Sequence, residues 1–202
     1  MDAHTKDIAA ARPSAWGVAS LALAMLMASL DTSIANIALP TLAQAFGARF
    51  SQVQWVVLAY LLSVTIFIVA AGRLGDMVGR KPLLVAGIAL FSASSMLCSL
   101  TPSLPVLIAG RGLQGIGAAI MLSLSMALVS EVVPTARIGR TMGLLGTMSA
   151  LGTSLGPSVG GLLIESFGWR AIFLPNLPLG LVAIALAART LPAARRALDT
   201  AP

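Results

Sequence analysis

Residues 15–39 read AWGVASLALAMLMASLDTSIANIAL, a run interrupted by one ionisable side chain, Asp31. A helix that crosses a bilayer needs about 20 mainly apolar residues, and this run supplies them. The same alternation of apolar run and punctuation recurs along the chain. It predicts further helices over residues 53–71, 83–101, 104–129, 141–164 and 172–190, with Pro40, Gly47, Pro102, Pro105, Pro134 and Gly168 at or near their ends. The expected fold is an all-α membrane protein, a bundle of six transmembrane helices over residues 15–190. A tail over 1–14 precedes it, and residues 191–202 form a second tail or the start of an inter-half linker.

Composition supports a membrane protein and excludes other classes. Of 202 residues, 57% are apolar and 10% charged, with a mean hydropathy of +0.93, far from the balance of a water-soluble domain. The formal charge of +6 does not indicate nucleic acid, because the basic residues stand singly or in pairs at the ends of apolar runs, without interleaved aromatics. Cys98 is the only cysteine, so an internal disulfide or a cysteine metal site is excluded. No metal-ligand cluster, phosphate loop or nucleophile with a base appears, so neither a metal nor an enzyme is expected. The polar residues 1–13, which include His4, lack a small-residue cleavage site before the first run and read as a solvated tail.

Orientation follows from lysine and arginine, which accumulate in cytoplasmic loops. With the N-terminus inside, the cytoplasmic side carries Lys6, Arg12, Arg73, Arg80, Lys81, Arg137, Arg140, Arg189, Arg195 and Arg196, against Arg49 and Arg170 outside. Both termini are expected in the cytoplasm. Trp16, Trp55 and Trp169 lie near predicted helix ends, as interfacial aromatics do.

Two ionisable residues fall within apolar runs. Asp31 is either a functional carboxylate or a buried one held by the hydroxyls of Thr32 or Ser33, and Asn36 follows about one and a half turns later. Arg111 is its counterpart on the fourth helix and keeps its charge at any ordinary pH. At about 1.5 Å per residue, Asp31 stands about 12 Å from Leu39 and Arg111 about 10 Å from Leu104, so both fit one layer of the membrane. Gln114 projects from nearly the same face as Arg111. A common cavity lined by Asp31, Asn36, Arg111 and Gln114 is expected, where proton uptake by Asp31 changes the charge that a substrate meets.

Residues 72–82 read GRLGDMVGRKP and predict a tight cytoplasmic loop with one acid and three bases: Gly72, Arg73, Gly75, Asp76, Gly79, Arg80 and Lys81. Glu131 ends the fourth helix on the same side, which makes an Arg80 to Glu131 brace plausible. On the fifth helix Gly152, Gly156 and Gly160 recur at four-residue spacing beside Pro157 and Gly161, a pattern that serves either as a packing face or as a hinge.

Together these stretches resemble the major facilitator superfamily over residues 30–180. The segment 72–82 is similar to its signature motif at Gly72, Leu74, Asp76, Gly79, Arg80 and Lys81, and residues 111–118, RGLQGIGA, resemble the helix-4 motif whose arginine is implicated in proton transfer. Gly152 with residues 156–161, GPSVGG, resembles the helix-5 antiporter motif. Residues 30–40, LDTSIANIALP, are similar to the helix-1 motif of the fourteen-helix drug:proton antiporters, and residues 169–173 with Asn176, Pro178 and Gly180 fit the same group.

The resemblance implies the N-terminal six-helix half of a proton-coupled efflux carrier for small lipophilic or cationic compounds in the inner cell membrane. No cofactor is implied, the proton gradient being the driving force. Partners are membrane lipid, the small-molecule substrate, and a second six-helix half or another copy of the chain. In the family, Asp76 and the helix-5 glycine face meet helices of the second bundle. The alternative is a truncated membrane protein that does not transport without that second half.

Overall fold

The structure, a computed structural model, describes residues 15–192. The tail expected over 1–14 and residues 193–202, with Lys6, Arg12, Arg195 and Arg196, lie outside the described residues. Six long helices follow one another: α1 Ala15–Phe46, α2 Trp55–Val78, α3 Arg80–Leu100, α4 Leu104–Val132, α5 Ile138–Phe167 and α6 Asn176–Thr190. A helical turn, Phe50–Val53, leads into α2, and 3₁₀ turns at Thr135–Arg137 and Trp169–Phe173 lead into α5 and α6.

Five segments are long and apolar enough to cross a membrane: Ala15–Phe46, Phe50–Val78, Arg80–Leu100, Leu104–Val132 and Trp169–Thr190. Helix α5 is as long, but Gly146, Thr147, Ser149, Gly152, Thr153 and Ser154 make it less apolar, and its place in the bundle comes from packing on α1. The large apolar side chains left exposed, among them Leu62, Ile66, Val69 and Leu181, suit a lipid environment and would be a liability in water.

Three breakers act differently from the sequence expectation. Pro40 lies inside α1 and forgoes one backbone bond, yet the helix runs on because Leu39 and Leu42 stay buried around it. The loop expected over 72–82 is almost wholly helical: α2 continues to Val78, α3 starts at Arg80, and only Gly79, at φ 99°, turns the chain. That left-handed backbone is the position that requires glycine. Pro82 falls in the first turn of α3, where a missing N–H costs nothing. The sixth helix starts at Asn176, later than residue 172, because Gly168 at φ 78° and Pro175 confine the intervening chain to a 3₁₀ turn.

Helices α1 and α4 are the centre of the bundle. The first packs on α5, α6 and α4, the fourth on α2 and α3, and α3 also meets α6. The apolar core is in two parts. One contains Leu21, Met27, Leu84, Phe91, Met121, Leu128 and Ala183, and the other Ile34, Leu42, Val56, Leu107, Cys98 and Phe173. Between them, on each of α1, α3, α4 and α6, lies one buried polar position or more: Asp31, Ser95, Arg111 with Gln114, and Asn176. The core is split by a polar layer.

Candidate functional site

That layer is a closed network of five side chains. Arg111 donates through Nη1 to Asp31 Oδ2 at 2.5 Å and to Gln114 Oε1 at 2.6 Å, and through Nε to the Val56 carbonyl at 3.1 Å. Asp31 Oδ1 accepts from Gln114 Nε2 at 2.9 Å and from Asn176 Nδ2 at 2.7 Å. Both amides also donate to Ser95 Oγ, at 2.6 and 3.0 Å. The guanidinium of Arg111 lies over the Tyr60 ring, 4.4 Å from its centroid, with the Phe173 ring 6.0 Å away. Such ring faces attract a desolvated cation, which suits Nη2, a buried nitrogen without a hydrogen-bond partner among the described residues.

Burial governs the energetics. Asp31 is 2% exposed and Arg111 0%, so each charge has lost its hydration and depends on the other. Removing one partner leaves an uncompensated ion in a dry site. With the bonds to the Val56 carbonyl, Gln114, Ser95 and Asn176, the pair ties α1, α2, α3, α4 and α6 into one network.

The structure brings Asp31, Arg111 and Gln114 together and separates Asn36 from them. Asn36 is exposed, and its Nδ2 donates to the Thr32 carbonyl at 2.9 Å. Five residues correspond to about 140° around a helix, which turns Asn36 away from Asp31. The common cavity expected for these four residues is thus not formed: the ion pair is sealed in protein. Neither nearby hydroxyl holds Asp31 either, since Thr32 Oγ1 donates to the Ala28 carbonyl and Ser33 Oγ to the Thr153 carbonyl. Ser95, Asn176, Tyr60 and the Val56 carbonyl were not expected at this site.

Asn36 lines a separate open groove of about 320 Å³, with Ser29, Thr32 and Ser33 on α1, Tyr60, Leu61 and Val64 on α2, Leu122 on α4, and Ser149 and Thr153 on α5. Tyr60 is common to both places. One face of its ring covers Arg111 and the same residue forms part of the groove wall.

At the end of the bundle where α2 meets α3, Arg80 gathers a second charged cluster. Its Nε and Nη2 donate to Asp76 Oδ1 at 3.0 and 2.8 Å, and its Nη1 to Glu131 Oε1 at 2.9 Å and to the Ala127 carbonyl at 3.2 Å. Lys81 Nζ donates to the Leu191 carbonyl at 2.8 Å. Gly72 and Gly75 serve close packing of α2 on α4, where added methyl groups would meet Ser123 and Leu124. Arg73 is exposed at the rim of an apolar cleft between α2 and α4, lined by Phe67, Leu74, Met77, Ile116 and Ile120.

The helix-5 glycines resolve into two groups. Gly152, Gly156 and Gly160 are buried against α1 of the same bundle, facing Leu26 to Leu30, Ser33 and Ile34. This differs from the expectation that the glycine face meets a second bundle. Gly161 faces open space, and Pro157 lies within the helix on an exposed position.

Comparisons with known proteins agree with this architecture. The family model described as Major Facilitator Superfamily matches residues 21–201. The riboflavin transporter RibZ of Clostridioides difficile (strain 630) is 40% identical over 172 residues, which are 85% of this chain and 38% of that protein. The multidrug resistance protein Stp of Mycobacterium tuberculosis is 41% identical over 165 residues, covering 81% of this chain and 31% of Stp. This chain thus spans between three tenths and two fifths of the length of these relatives. Among solved structures, the partially occluded inward-open xylose transporter XylE of E. coli superposes with a TM-score of 0.81 at 19% identity, over 90% of this chain and 50% of that one.

Proposed function

This chain belongs to the major facilitator superfamily, a family of membrane transporters, and from that premise we propose that it forms one wall of a proton-driven export carrier of the multidrug type. The carrying observation is the buried Asp31–Arg111 pair, one tyrosine residue away from an open groove. Asp31 is the proton acceptor. On protonation it ceases to be an anion, while Arg111 stays charged and loses its counter-ion. The five-helix layer then favours another arrangement, and Tyr60 passes the change to the groove where the compound sits. Gln114, Asn176 and Ser95 orient the carboxylate; Asn36 faces the compound.

The name of Stp, a multidrug resistance protein, supports a drug-type cargo. The distribution of lysine and arginine supports both termini being cytoplasmic in the inner membrane. In that orientation Arg80, Asp76 and Glu131 brace the cytoplasmic ends of α2, α3 and α4, and parting of this brace, with Gly72, Arg73, Gly75, Gly79 and Lys81 around it, accompanies opening. The second wall is a further six-helix bundle, since a groove on one face needs a facing surface to enclose cargo. A second copy of the chain is the other way to supply it, and a chain that meets neither is a membrane protein without transport.

The test uses everted membrane vesicles from cells expressing the chain with and without a second six-helix half, with a pH-sensitive dye reporting proton release on addition of a drug. Drug-dependent proton movement is expected with both halves present and absent in Asp31→Asn, whose membrane insertion remains normal. Proton movement unchanged in Asp31→Asn rejects the coupling role.

A further inference from the structure

We propose that the groove beside Tyr60 selects uncharged compounds that donate hydrogen bonds, and disfavours organic cations and anions alike. The proposal rests on the carrier reading only in taking this groove as the face that meets cargo. Its basis is the state of each polar group that lines the groove.

Six hydroxyls are present, and almost all of their protons are committed within the protein. Thr32 donates to the Ala28 carbonyl at 2.9 Å, Ser33 to the Thr153 carbonyl at 2.8 Å, Thr153 to the Ser149 carbonyl at 3.1 Å, and Tyr60 to the Ala28 carbonyl at 3.3 Å. Ser29 and Ser149 lie 2.6 Å apart, and one of the two donates to the other, which leaves one hydroxyl proton uncommitted. A hydroxyl that has spent its proton still offers lone pairs. Asn36 adds its side-chain carbonyl, and one of its two amide protons donates to the Thr32 carbonyl. The groove therefore presents acceptors in excess of donors, among the apolar surfaces of Leu61, Val64 and Leu122.

Charged ligands fare poorly there. Among the described residues no Asp, Glu, Lys or Arg lines the groove, so a cation leaving water finds no counter-ion there and an anion finds few donors. Asp31, next to Thr32 on α1, is sealed and neutralised by Arg111. Tyr60, the one aromatic side chain in the wall, already has Arg111 over its face, so its attraction for a second cation is diminished. Protonation of Asp31 strengthens the exclusion, since Arg111 then repels a cation without compensation. A neutral molecule with N–H or O–H groups meets the acceptors and keeps the apolar contacts.

Riboflavin is a suitable probe, being uncharged at neutral pH, rich in hydroxyl donors, and the named cargo of one relative. The full chain, together with the second six-helix half that faces its groove, is titrated in lipid nanodiscs with riboflavin, with riboflavin 5′-phosphate as the matched anion, and with ethidium as an organic cation, by fluorescence polarisation. Riboflavin is expected to bind at least about tenfold more tightly than either charged probe. Thr32→Val and Thr153→Val, which keep side-chain volume and remove an acceptor, should each weaken riboflavin about threefold or more while leaving ethidium unchanged. Thermal unfolding of each variant establishes that it is folded, and Ser149→Ala replaces one that is not. Equal or tighter binding of a charged probe overturns the proposal; so does riboflavin binding indifferent to both folded variants, or no riboflavin binding at all. Cation preference together with proton coupling lost in Asp31→Asn would sink the ligand class and leave the carrier standing. Selective riboflavin binding with coupling intact in Asp31→Asn would do the reverse.

Discussion

Two arginines in this bundle bind carboxylates in opposite surroundings. Arg111 meets Asp31 where both are almost fully shielded, between two halves of the apolar core. Arg80 meets Asp76 and Glu131 with side chains that keep 31%, 61% and 40% of their exposure. The second cluster has more ion pairs and the first far less water. Since water screens the outer charges and solvates them in either state, removing one partner of the single inner pair should cost more than breaking the double outer one. The difference assigns them separate work: the inner pair stores a large response to one proton, and the outer cluster is a brace that can open cheaply.

The largest effect tests the inner pair directly. Asp31→Leu leaves Arg111 charged and unpaired and should destabilise the chain by about 3–5 kcal/mol, seen as a fall in thermal unfolding temperature in detergent micelles. Adding Arg111→Met to the same chain should recover most of that loss, because a buried pair replaced as a unit by apolar side chains costs little. A double variant no more stable than Asp31→Leu would mean that the pair is not the unit that burial makes it.

The next effect asks what keeps Asp31 in register. A methyl group on Gly152 would stand 2.7 Å from the Leu26 carbonyl oxygen and 2.9 Å from the Leu30 amide nitrogen, both backbone atoms that cannot swing away. Gly152→Ala should push α1 from α5 just before Asp31 and cost about 1–3 kcal/mol. Gly161→Ala, in the same sequence motif but facing open space, should be neutral. Equal losses in the two would break the link between the glycine face and the buried layer.

A smaller effect separates the inner pair from its aromatic cover. Tyr60→Leu removes the ring over Arg111 at 4.4 Å and the hydroxyl that donates to the Ala28 carbonyl. The expected cost is about 1–2 kcal/mol, and Tyr60→Phe, which keeps the ring, should recover about half. The same two variants distinguish wall from cover: only the leucine should uncouple cargo binding from the state of Asp31 in the vesicle assay.

Much of this was legible in the sequence, for reasons that show where such reading stops. Apolar runs fix helices because a bilayer admits few alternatives; Asp31 and Arg111 stand out because ionisable groups within such runs need partners, and Gln114 because it shares a helix face with Arg111. Ser95 and Asn176 carried no such signal: each is uncharged, and they join Asp31 only through the packing of α3 and α6. Asn36 was drawn to Asp31 by proximity along the chain, although helical geometry alone turns it away. The glycines of residues 72–82 suggest a turn by their number, yet Gly75 faces Leu124 and among them only Gly79 has the backbone of a turn. A glycine that serves a turn and one that admits a neighbouring helix look alike until the neighbour is known. The family resemblance overcame that ambiguity for the fold and not for which helix each glycine meets.

The smallest effect belongs to the outer cluster. Arg80→Gln removes two ion pairs at once, but the exposed carboxylates of Asp76 and Glu131 regain water when released. The cost should be about 0–1 kcal/mol per pair and should shrink as salt rises from ~0.05 M to ~0.5 M, over which the Debye length falls severalfold. Asp31→Leu, by contrast, should respond little to salt, because mobile ions do not reach the sealed layer. Measuring unfolding of both variants across that salt range therefore compares the two arginines on a scale that does not depend on absolute stabilities. If Arg80→Gln costs as much as Asp31→Leu and is equally blind to salt, the outer cluster is no cheap brace, and its parting cannot accompany the opening proposed for this end of the bundle.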